Sequence, residues 1–401
     1  MKVSIVGQGY VGLTISAFAG EFYEVVGFDN NQKIVDQLNL GISHIEGIES
    51  SILKSWIKAG RYRATTSAAD IDGSDVVVIA VPTPLTRDRK PDLAFIDAAC
   101  QAVGENLKNS ALIINESTSF PGTIRNYIKP AIEKYSGGKF QHLYAISPER
   151  VDPGRGDFNQ KNTPRLYAGL TTEASEKTRE FYSKFCDQLV EVSSPEVAEA
   201  AKLFENTFRQ VNIALVNEFA QIANALGISV YDTLDAANTK PYGFMKFTPS
   251  AGVGGHCIPV DPTYLAAVAE ERGVPATFIR RANEVNLEMS KYIVDRVEAD
   301  NGGLLQGKSV LVVGVAYKPN VADVRETAAE LVIEHLRNRG AIVAWHDDVV
   351  GTWHGEKSSD LSGADISIVI TKHDVVDERK IMVSAPYVFD TTGKLPRAHG
   401  L

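Results

Sequence analysis

The chain has little cysteine, no excess of positive charge and no long apolar run. Its 401 residues include only three cysteines, far apart, so their spacing supports neither a disulfide framework nor a paired-cysteine metal site. A net charge of −9 lacks the broad positive field that non-specific nucleic-acid binding uses. No apolar run reaches the roughly 18 residues of a membrane span, and the first residues indicate a strand, not a signal peptide. We therefore expect a cytoplasmic protein with no nucleic-acid and no membrane partner.

The length allows about two to three domains, and the sequence shows three blocks of different pattern. The first and last blocks alternate helices with continuous β-branched runs, which are typical of parallel strands buried on both faces. In the first block the predicted strands are 3–6, 24–29, 75–81, 111–115 and 143–146, with a helix over 12–22. In the last block they are 308–314, 340–347 and 364–370, with a helix over 326–339.

The middle block is helical. From Glu196 to Leu226 it contains neither proline nor glycine, while Pro195 precedes it and Gly227 follows it, so the pattern predicts one long helix. A helix of roughly 45 Å is longer than one small domain needs, and its spare apolar surface indicates dimerisation. The predicted fold is α/β, with two Rossmann-like doubly wound domains joined by a central helical domain. We place the domains at 1–194, 195–298 and 299–401.

The first strand leads into a GxGxxG motif that opens the first helix. Its glycines let the backbone approach a pyrophosphate, whose charge the helix N-terminus favours. Asp29 lies roughly 20 residues further on, where an acid accepts hydrogen bonds from a ribose and repels a 2′-phosphate. The motif therefore predicts an NAD site, and the alternative is a glycine-rich turn without a ligand. The predicted NAD contacts are Gly7, Gly9, Tyr10, Val11, Gly12 and Asp29.

Other candidates follow the carboxyl ends of predicted strands, where ligands bind to open α/β sheets. They are Pro82, Thr83, Thr118, Glu149 and Arg150. The alternative for Pro82 and Thr83 is a plain rigid turn, and Thr118, Glu149 and Arg150, taken alone, are more often structural. In the last block, Lys318 and Arg325 could meet an anionic ligand such as a nucleotide diphosphate, and the alternative is a pair of solvated cations.

The segment 252–262, GVGGHCIPVDP, is the most informative of the chain. Glycines before Cys257 permit unusual backbone angles and the close approach of a ligand. Asp261 followed by Pro262 is typical of an N-cap and a first helical residue, so Cys257 would lie on an exposed turn beside a helix start. Such a position favours a thiolate. The alternative is a structural loop with a buried cysteine.

Lys202 and Asn206 are four residues apart and share one face of the predicted long helix. Side by side, an ammonium and an amide can donate several hydrogen bonds to one oxyanion. The alternative is an ordinary pair of solvated side chains.

Taken together, these motifs resemble the UDP-sugar 6-dehydrogenases, a family of four-electron nucleotide-sugar oxidoreductases. The similarity extends from the glycine motif to about residue 375. It is carried by VPTP at 81–84, EST at 116–118, SPER at 147–150, AKLFEN at 201–206, GVGGHCIPVDP at 252–262 and the segment with Lys318 and Arg325. The resemblance implies an NAD domain, a central helical domain that forms a homodimer and a UDP-binding domain, with a UDP-sugar as the substrate.

The resemblance also implies roles for single residues. C6 of the sugar would be oxidised twice with NAD, while Cys257 holds it first as a thiohemiacetal and then as a thioester. Lys202 and Asn206 would stabilise the oxyanions, with Asp261 supporting Lys202 or the water network. Glu149 would be the acid/base of hydrolysis, with a water held by Thr118. The remaining implied ligand contacts are Arg150, Arg209, Gly254, His256, Lys318 and, for the cofactor, Arg325.

His256 and Val260, together with the segments 206–215 and 239–244, resemble the acetylhexosamine branch of the family and favour UDP-GlcNAc. The alternative substrate is UDP-glucose, although Pro153 stands where the glucose enzymes carry a second glutamate. Two other functions stay open at this point. A two-electron β-hydroxyacid dehydrogenase would not need Cys257, and a non-catalytic NAD-binding sensor would tolerate its loss.

Overall fold

A computed structural model of the chain describes residues 1–45, 47–86, 88–151 and 157–401. These residues form two compact units, 1–205 and 206–401. The boundary between the units falls inside the longest helix, so the helix belongs partly to each. The predicted division into three parts at 194/195 and 298/299 stays a prediction.

The unit 1–205 is built on one eight-stranded sheet. Its strands are β1 Lys2–Val6, β2 Glu24–Phe28, β3 Tyr62–Thr65, β4 Val76–Ile79, β5 Leu112–Asn115, β6 Leu143–Ile146, β7 Arg165–Gly169 and β8 Leu189–Glu191. Their spatial order is β3-β2-β1-β4-β5-β6-β7-β8, and every pair is parallel except β6 with β7. The first six strands thus follow the order 3-2-1-4-5-6 of a doubly wound dinucleotide-binding sheet.

Helices cover this sheet on both faces. They are α1 Tyr10–Ala19, α2 Gln32–Asn39, α3 Ser50–Lys58, α4 Ala94–Asn106, α5 Lys129–Tyr135 and α6 Thr172–Tyr182. Neighbouring residues of one strand enter different cores: Val76 and Val78 pack with α1 and α6, whereas Val77 and Ile79 pack with α4 and α5. This double burial explains why the strands are continuous apolar runs instead of alternating ones.

The predicted bounds need small corrections in this unit. The first helix begins at Tyr10 and ends at Ala19, and not at 12 and 22, because the glycine turn itself leads directly into the helix and Gly20 forms its C-cap. The strand expected over 75–81 pairs only over Val76–Ile79.

The long helix α7 spans Pro195–Leu226, as predicted except that it includes the proline. It is followed by α8 Val230–Asn238, α9 Asp261–Glu271 and α10 Thr277–Asp300. Within the unit 206–401, buried amides join α7 to α10, since Asn217 Nδ2 donates to Asn286 Oδ1 at 2.9 Å. No helix of the described residues has the length and apolar character required to cross a membrane.

The C-terminal part of the chain forms a second, five-stranded sheet. Its elements are β9 Ser309–Val313, α11 Ala328–Asn338, β10 Ile342–His346, the hairpin β11 Thr352–Trp353 with β12 Glu356–Lys357, β13 Ile366–Val369, α12 Glu378–Met382, β14 Tyr387–Asp390 and β15 His399–Gly400. The order β10-β9-β13-β14-β15 is parallel throughout. The prediction of an α/β fold with two Rossmann-like domains and a central helical region is therefore confirmed.

The helix expected over 326–339 begins at Ala328. Glu326 has a positive φ of 49°, which interrupts a right-handed helix, and the hydroxyl of Thr327 accepts a hydrogen bond from the amide of Ala329 as an N-cap.

Candidate active site

The three glycines of the first turn have different tasks. Gly7 has a φ of 91°, and a Cβ there would lie 2.4 Å from the carbonyl oxygen of Ala80. A Cβ on Gly12 would lie 1.8 Å from the oxygen of Gly7. A Cβ on Gly9 would have nothing within 4 Å. The fold therefore requires the first and third glycines, whereas the second leaves open space at the start of α1, as a bound pyrophosphate needs.

Asp29 lies at the end of β2 beside this turn. Its Oδ2 accepts the Gln8 amide at 2.8 Å, and its Oδ1 accepts the Asn31 amide at 2.9 Å. The half-buried Tyr10 and Val11 open α1. An oriented carboxylate next to the glycine turn suits the ribose hydroxyls of NAD and opposes a 2′-phosphate. The turn, the open space and the carboxylate thus fit the cofactor that the motif predicts.

The strand-end candidates of this unit follow three adjacent strands. Pro82 and Thr83 follow β4, Thr118 follows β5 and Glu149 follows β6. The ends of β4 and β5 are linked, because the Val81 amide donates to Ser117 Oγ at 2.9 Å. Parallel neighbours end at the same edge of a sheet, so these residues lie on the edge where α/β folds bind ligands.

Glu149 is a nearly buried carboxylate that is held from two sides. Its Oε1 accepts the amides of Arg150 and Val151, both at 2.6 Å, and its Oε2 accepts Arg165 Nη2 at 3.0 Å. Burial by itself raises the pKa of Glu149. The Arg165 guanidinium, the amides and the charge of Lys202 outweigh it, so the pKa lies below its usual range. Glu149 is thus a carboxylate at neutral pH.

Arg150, expected to contact substrate, forms a two-pronged ion pair with Glu205. Its Nη2 and Nε lie 2.7 and 3.1 Å from the two carboxylate oxygens, and its Nη1 donates to the Pro164 carbonyl at 2.7 Å. The guanidinium therefore fastens the segment after β6 to the start of β7 and to α7. Pro153, expected to replace a second glutamate, lies outside the described residues.

On α7, Lys202 is half-buried and close enough to Glu149 to help lower its pKa. One turn earlier lies Glu199, a buried carboxylate that the sequence analysis missed. It accepts the amides of Gly122 and Ile124 at 2.5 and 3.0 Å, yet burial raises its pKa to about 7. Nothing in the helical periodicity distinguishes it from a surface glutamate, because its partners are backbone groups distant in sequence.

In the unit 206–401, Cys257 is exposed and forms no disulfide. Its carbonyl accepts the amides of Val260 and Asp261, at 3.2 and 2.9 Å, and so closes the turn that enters α9. The exposed turn beside a helix start is thus present, and a buried structural cysteine is wrong for this position. Asp261 is the first residue of α9 and not its N-cap, which is Val260.

The carboxylate of Asp261 has another partner. It is buried, and its Oδ2 accepts Asn206 Nδ2 at 2.5 Å. The amide of Asn206, expected to stabilise an oxyanion, is therefore oriented by the residue that also shares the turn of Cys257. Asp261 was expected to support Lys202 or the water network, and its hydrogen bond with Asn206 has no signal in the sequence.

Close packing requires glycine at two of the positions before Cys257. A Cβ on Gly254 would lie 2.8 Å from the Glu326 carbonyl oxygen, and one on Gly255 would meet the Tyr317 ring at 2.8 Å. The Gly255 amide donates to the Arg325 carbonyl at 2.9 Å. The cysteine loop is therefore bonded to the loop between β9 and α11.

Arg325 itself is paired with Asp323, Nη2 to Oδ2 at 2.6 Å. His256, half-buried, has a pKa lowered by burial and by Arg325, against the opposing effect of Asp323. His256 is therefore neutral at physiological pH. Lys318 is half-buried in the loop after β9, and Arg209 is exposed on α7.

Within the part of the chain that the structure describes, no group of three or more His, Cys, Asp or Glu is arranged to hold a metal ion. The dinucleotide turn with Asp29, together with the exposed Cys257 on the turn into α9, defines an NAD-dependent oxidoreductase that contains a candidate thiol nucleophile.

Comparison with known proteins identifies the family. Residues 1–186 match the NAD binding domain of the UDP-glucose/GDP-mannose dehydrogenase family, 196–288 match its central domain and 311–397 match its UDP binding domain. The chain belongs to this family, and it is an NAD-dependent UDP-sugar dehydrogenase.

Several relatives are similar over most of their length. A UDP-N-acetyl-D-mannosamine dehydrogenase of Pyrococcus horikoshii is 35% identical over 382 residues, which cover 93% of this chain and 90% of the relative. A UDP-N-acetyl-D-glucosamine 6-dehydrogenase of Pseudomonas aeruginosa is 35% identical over 348 residues, covering 84% and 80%. The structure of a UDP-glucose dehydrogenase from Pyrobaculum islandicum has a TM-score of 0.89 at 28% identity, covering 100% and 96%. The two relatives that are named for N-acetylhexosamine substrates support the UDP-N-acetylhexosamine branch.

Proposed function

We propose that the enzyme oxidises C6 of a UDP-N-acetylhexosamine, with UDP-GlcNAc favoured, by four electrons to the uronic acid through a covalent intermediate on Cys257. The observation that carries the proposal is the exposed thiol on the turn into α9, the helix whose first residue, Asp261, orients the Asn206 amide. A structural cysteine does not need exposure.

The two oxidations need one nucleophile between them. The C6 alcohol loses a hydride and a proton to become an aldehyde, and Cys257 Sγ then adds to that carbonyl carbon to form a thiohemiacetal. Loss of a second hydride and proton gives a thioester. When bound, NAD supplies the hydride acceptor for both oxidations. Asn206 and Lys202 are assigned to the oxyanions that these steps create, since both can donate hydrogen bonds.

The last step releases the acid. Water adds to the thioester carbon, its proton passes to a base, and the C–S bond breaks with the thiolate as leaving group. We assign the base to Glu149, with Thr118 holding the water. Because the pKa of Glu149 lies below its usual range, it is suited to accept a proton or orient water and not to donate one as an acid.

The choice of sugar rests on His256, Val260 and the segment 239–244. Relatives named for the mannosamine and the glucosamine substrates are both 35% identical, so overall similarity does not separate the epimers. UDP-glucose is the second candidate, because a UDP-glucose dehydrogenase shares the fold at a TM-score of 0.89.

The test measures the initial rate of NADH production with UDP-GlcNAc, UDP-GalNAc, UDP-ManNAc and UDP-glucose. At the end of each reaction, the NADH formed per molecule of sugar consumed is determined. We expect two NADH per UDP-GlcNAc and a carboxylate product. Two NADH from UDP-glucose alone would keep the mechanism and overturn the branch. One NADH with a free carbonyl product would overturn the covalent mechanism.

Cys257→Ser and Cys257→Ala variants test the nucleophile. We expect uronate formation to be lost while NAD affinity, measured by calorimetry, stays within about twofold because the glycine turn and Asp29 are untouched. Cys100→Ser, at a buried cysteine outside the site, is the matched control. Normal turnover of Cys257→Ala would overturn the covalent mechanism.

We further propose a cytoplasmic homodimer formed through α7. Large apolar side chains recur on this helix with heptad-like spacing and are exposed in the single chain: Phe204, Phe208, Leu215, Ile222 and Leu226. Phe204 and Leu215 are 65% and 63% exposed, which is unusual for a stripe that faces only water. Leu215→Glu should convert a dimer to a monomer in light scattering. An unchanged mass would place the interface elsewhere.

A further inference from the structure

A buried arginine links two glutamates next to the proposed hydrolytic site. Arg165 is the first residue of β7, and its side chain is 4% exposed. Its Nη1 lies 2.8 Å from Glu116 Oε1, and its Nη2 lies 3.0 Å from Glu149 Oε2. One guanidinium thus joins the residues that follow β5 and β6.

The guanidinium is itself fixed in place. Its Nη1 donates to Ser147 Oγ at 3.0 Å, and its Cζ lies 4.5 Å from the centre of the Tyr182 ring. The hydroxyl of Tyr182 donates to Glu116. Arg165 therefore has a single orientation, and the orientation of Glu149 follows from it.

We propose that Arg165 is a positioning residue that orients Glu149 and keeps it ionised for thioester hydrolysis, while Glu116 balances the other half of the guanidinium. This inference rests on the proposed role of Glu149 as the base. It assigns Arg165 and Glu116 no contact with substrate. It also gives this chain a second glutamate in the hydrolytic network, Glu116, which follows β5 and acts through Arg165.

Electrostatics support the arrangement. Burial raises the pKa of Glu116 to about 7, and the nearby charge of Glu149 adds to the increase, while Arg165 and Tyr182 oppose it. For Glu149 the balance is reversed, as described above. The two carboxylates thus differ in proton affinity although they share one cation, a pattern typical of groups with different roles. The titratable and charged side chains that act on Glu149 or its partners among the described residues are Arg165, Lys202, Glu116, Tyr182 and Cys186.

The test compares the pH dependence of thioester hydrolysis in Arg165→Met, Arg165→Lys and Glu116→Gln with that of the wild type. Hydrolysis is followed in single turnovers as the decay of the thioester between pH 3 and 9, so that the acid limb of the wild type is included. Without the guanidinium, burial dominates the pKa of Glu149 and raises it. In Arg165→Met we therefore expect the acid limb of the pH–rate profile, where hydrolysis slows because Glu149 is protonated, to move to higher pH by roughly one to three pH units. Arg165→Lys should restore the limb in part.

Glu116→Gln is the matched control. It keeps the shape of Glu116 but removes its negative charge, so its acid limb should stay where it is in the wild type or move to lower pH. If Arg165→Met slows hydrolysis equally at every pH, with the limb unmoved, Arg165 is only structural and the inference is wrong.

A double variant covers the case in which the single variant misfolds. Arg165→Met leaves two buried carboxylates without a cation, whereas Arg165→Met/Glu116→Gln leaves only one. The double variant replaces Arg165→Met if circular dichroism shows that the single variant is misfolded.

Glu149→Gln separates the proposed role of Glu149 from the inference about Arg165. If Glu149→Gln hydrolyses normally, the proposed base is wrong. If it accumulates thioester while the limb of Arg165→Met is unmoved, only the inference about Arg165 is overturned.

Discussion

The two Rossmann-like domains place an aspartate at the same point and use it differently. Asp29 follows β2, is half-buried and accepts two amides, those of Gln8 and Asn31. Asp347 follows β10, is buried, and accepts four amides and His373 Nε2. The same topology therefore places an aspartate after the second strand in both domains. In the first domain it lies beside an open ligand turn, and in the second it holds the loop after β9 in place through hydrogen bonds.

The locked loop is the one that carries Tyr317 and Lys318. Asp347 Oδ2 accepts the amides of Val315 and Ala316 at 2.8 and 3.1 Å, and His373 Nδ1 accepts the Asn320 amide at 2.7 Å. The buried pair of Asp347 and His373 therefore holds both the beginning of the loop, at Val315 and Ala316, and its later part, at Asn320. The amides of Val315 and Ala316 are thus bonded to Asp347 at a turn that lacks the GxGxxG motif of the first domain.

The largest expected effect breaks this lock. Asp347→Ala leaves four amides and a buried histidine without their acceptor, so we expect the free energy of unfolding to fall by about 3–5 kcal/mol. Urea unfolding measures the change. Asp29→Ala is the matched control and should cost far less stability. Equal losses in the two variants would show that the comparison between the aspartates is wrong.

The next effect concerns pH. The pKa of Glu199 is raised to about 7 from an ordinary value near 4.5, so its contribution to stability is complete below about pH 4.5 and is lost as pH rises through 7. The loss amounts to about 3 kcal/mol at most. The free energy of unfolding of Glu199→Gln, measured by urea titration at several pH values, should lack this decline.

Asp347 should behave in the opposite way. Burial raises its pKa, but His373 and the backbone amides lower it more, so its pKa lies far below the usual range. Its contribution is present above about pH 4 and is lost as pH falls. Asp347→Asn should flatten the acid side of the stability profile, and an identical profile in Glu199→Gln and Asp347→Asn would contradict the assignment.

A smaller effect distinguishes the glycines of the first turn. Gly12→Ala forces a Cβ against the Gly7 carbonyl and should cost about 1–3 kcal/mol of stability as well as NAD binding. Gly9→Ala meets open space, so its melting temperature should be unchanged while NAD binding, measured by calorimetry, is weakened. Unaltered NAD affinity in Gly9→Ala would place the pyrophosphate elsewhere.

The smallest effect is expected for Asp29→Asn. The amide side chain keeps one acceptor for Gln8 or Asn31 but loses the charge that favours ribose hydroxyls and opposes a 2′-phosphate. We expect NAD affinity to fall by about 1 kcal/mol, or roughly fivefold, and the preference for NAD over NADP to narrow. A binding titration with both cofactors decides the point.

The pattern of apolar residues and the positions of glycine and proline were enough to predict the sheets, the long helix and the glycine turn. Continuous apolar runs indicate strands buried on both faces, and a stretch free of proline and glycine indicates one helix. The bounds near Glu326 were wrong because a positive φ at a non-glycine residue leaves no mark in the sequence.

The candidate residues were found where they belong to a local motif and missed where they depend on distant partners. Cys257 and Asp29 stand in recognisable segments. Arg165, Glu116 and Glu199 act through contacts between residues separated by dozens of positions, as Arg165 does with Glu116. Asp261 looked like a helix cap because Asp-Pro is common there, whereas its carboxylate bonds to a side chain on another helix.

The hydrogen bond between the Gly255 amide and the Arg325 carbonyl has a consequence for how the family can diversify. The cysteine loop and the loop between β9 and α11 fit each other with no room for a Cβ at Gly254 or Gly255. A chimaera that receives its C-terminal segment from a relative should therefore retain an ordered cysteine loop only if residues 252–258 are transferred with it. We therefore expect the two segments to be exchangeable only together, although more than fifty residues of chain separate them.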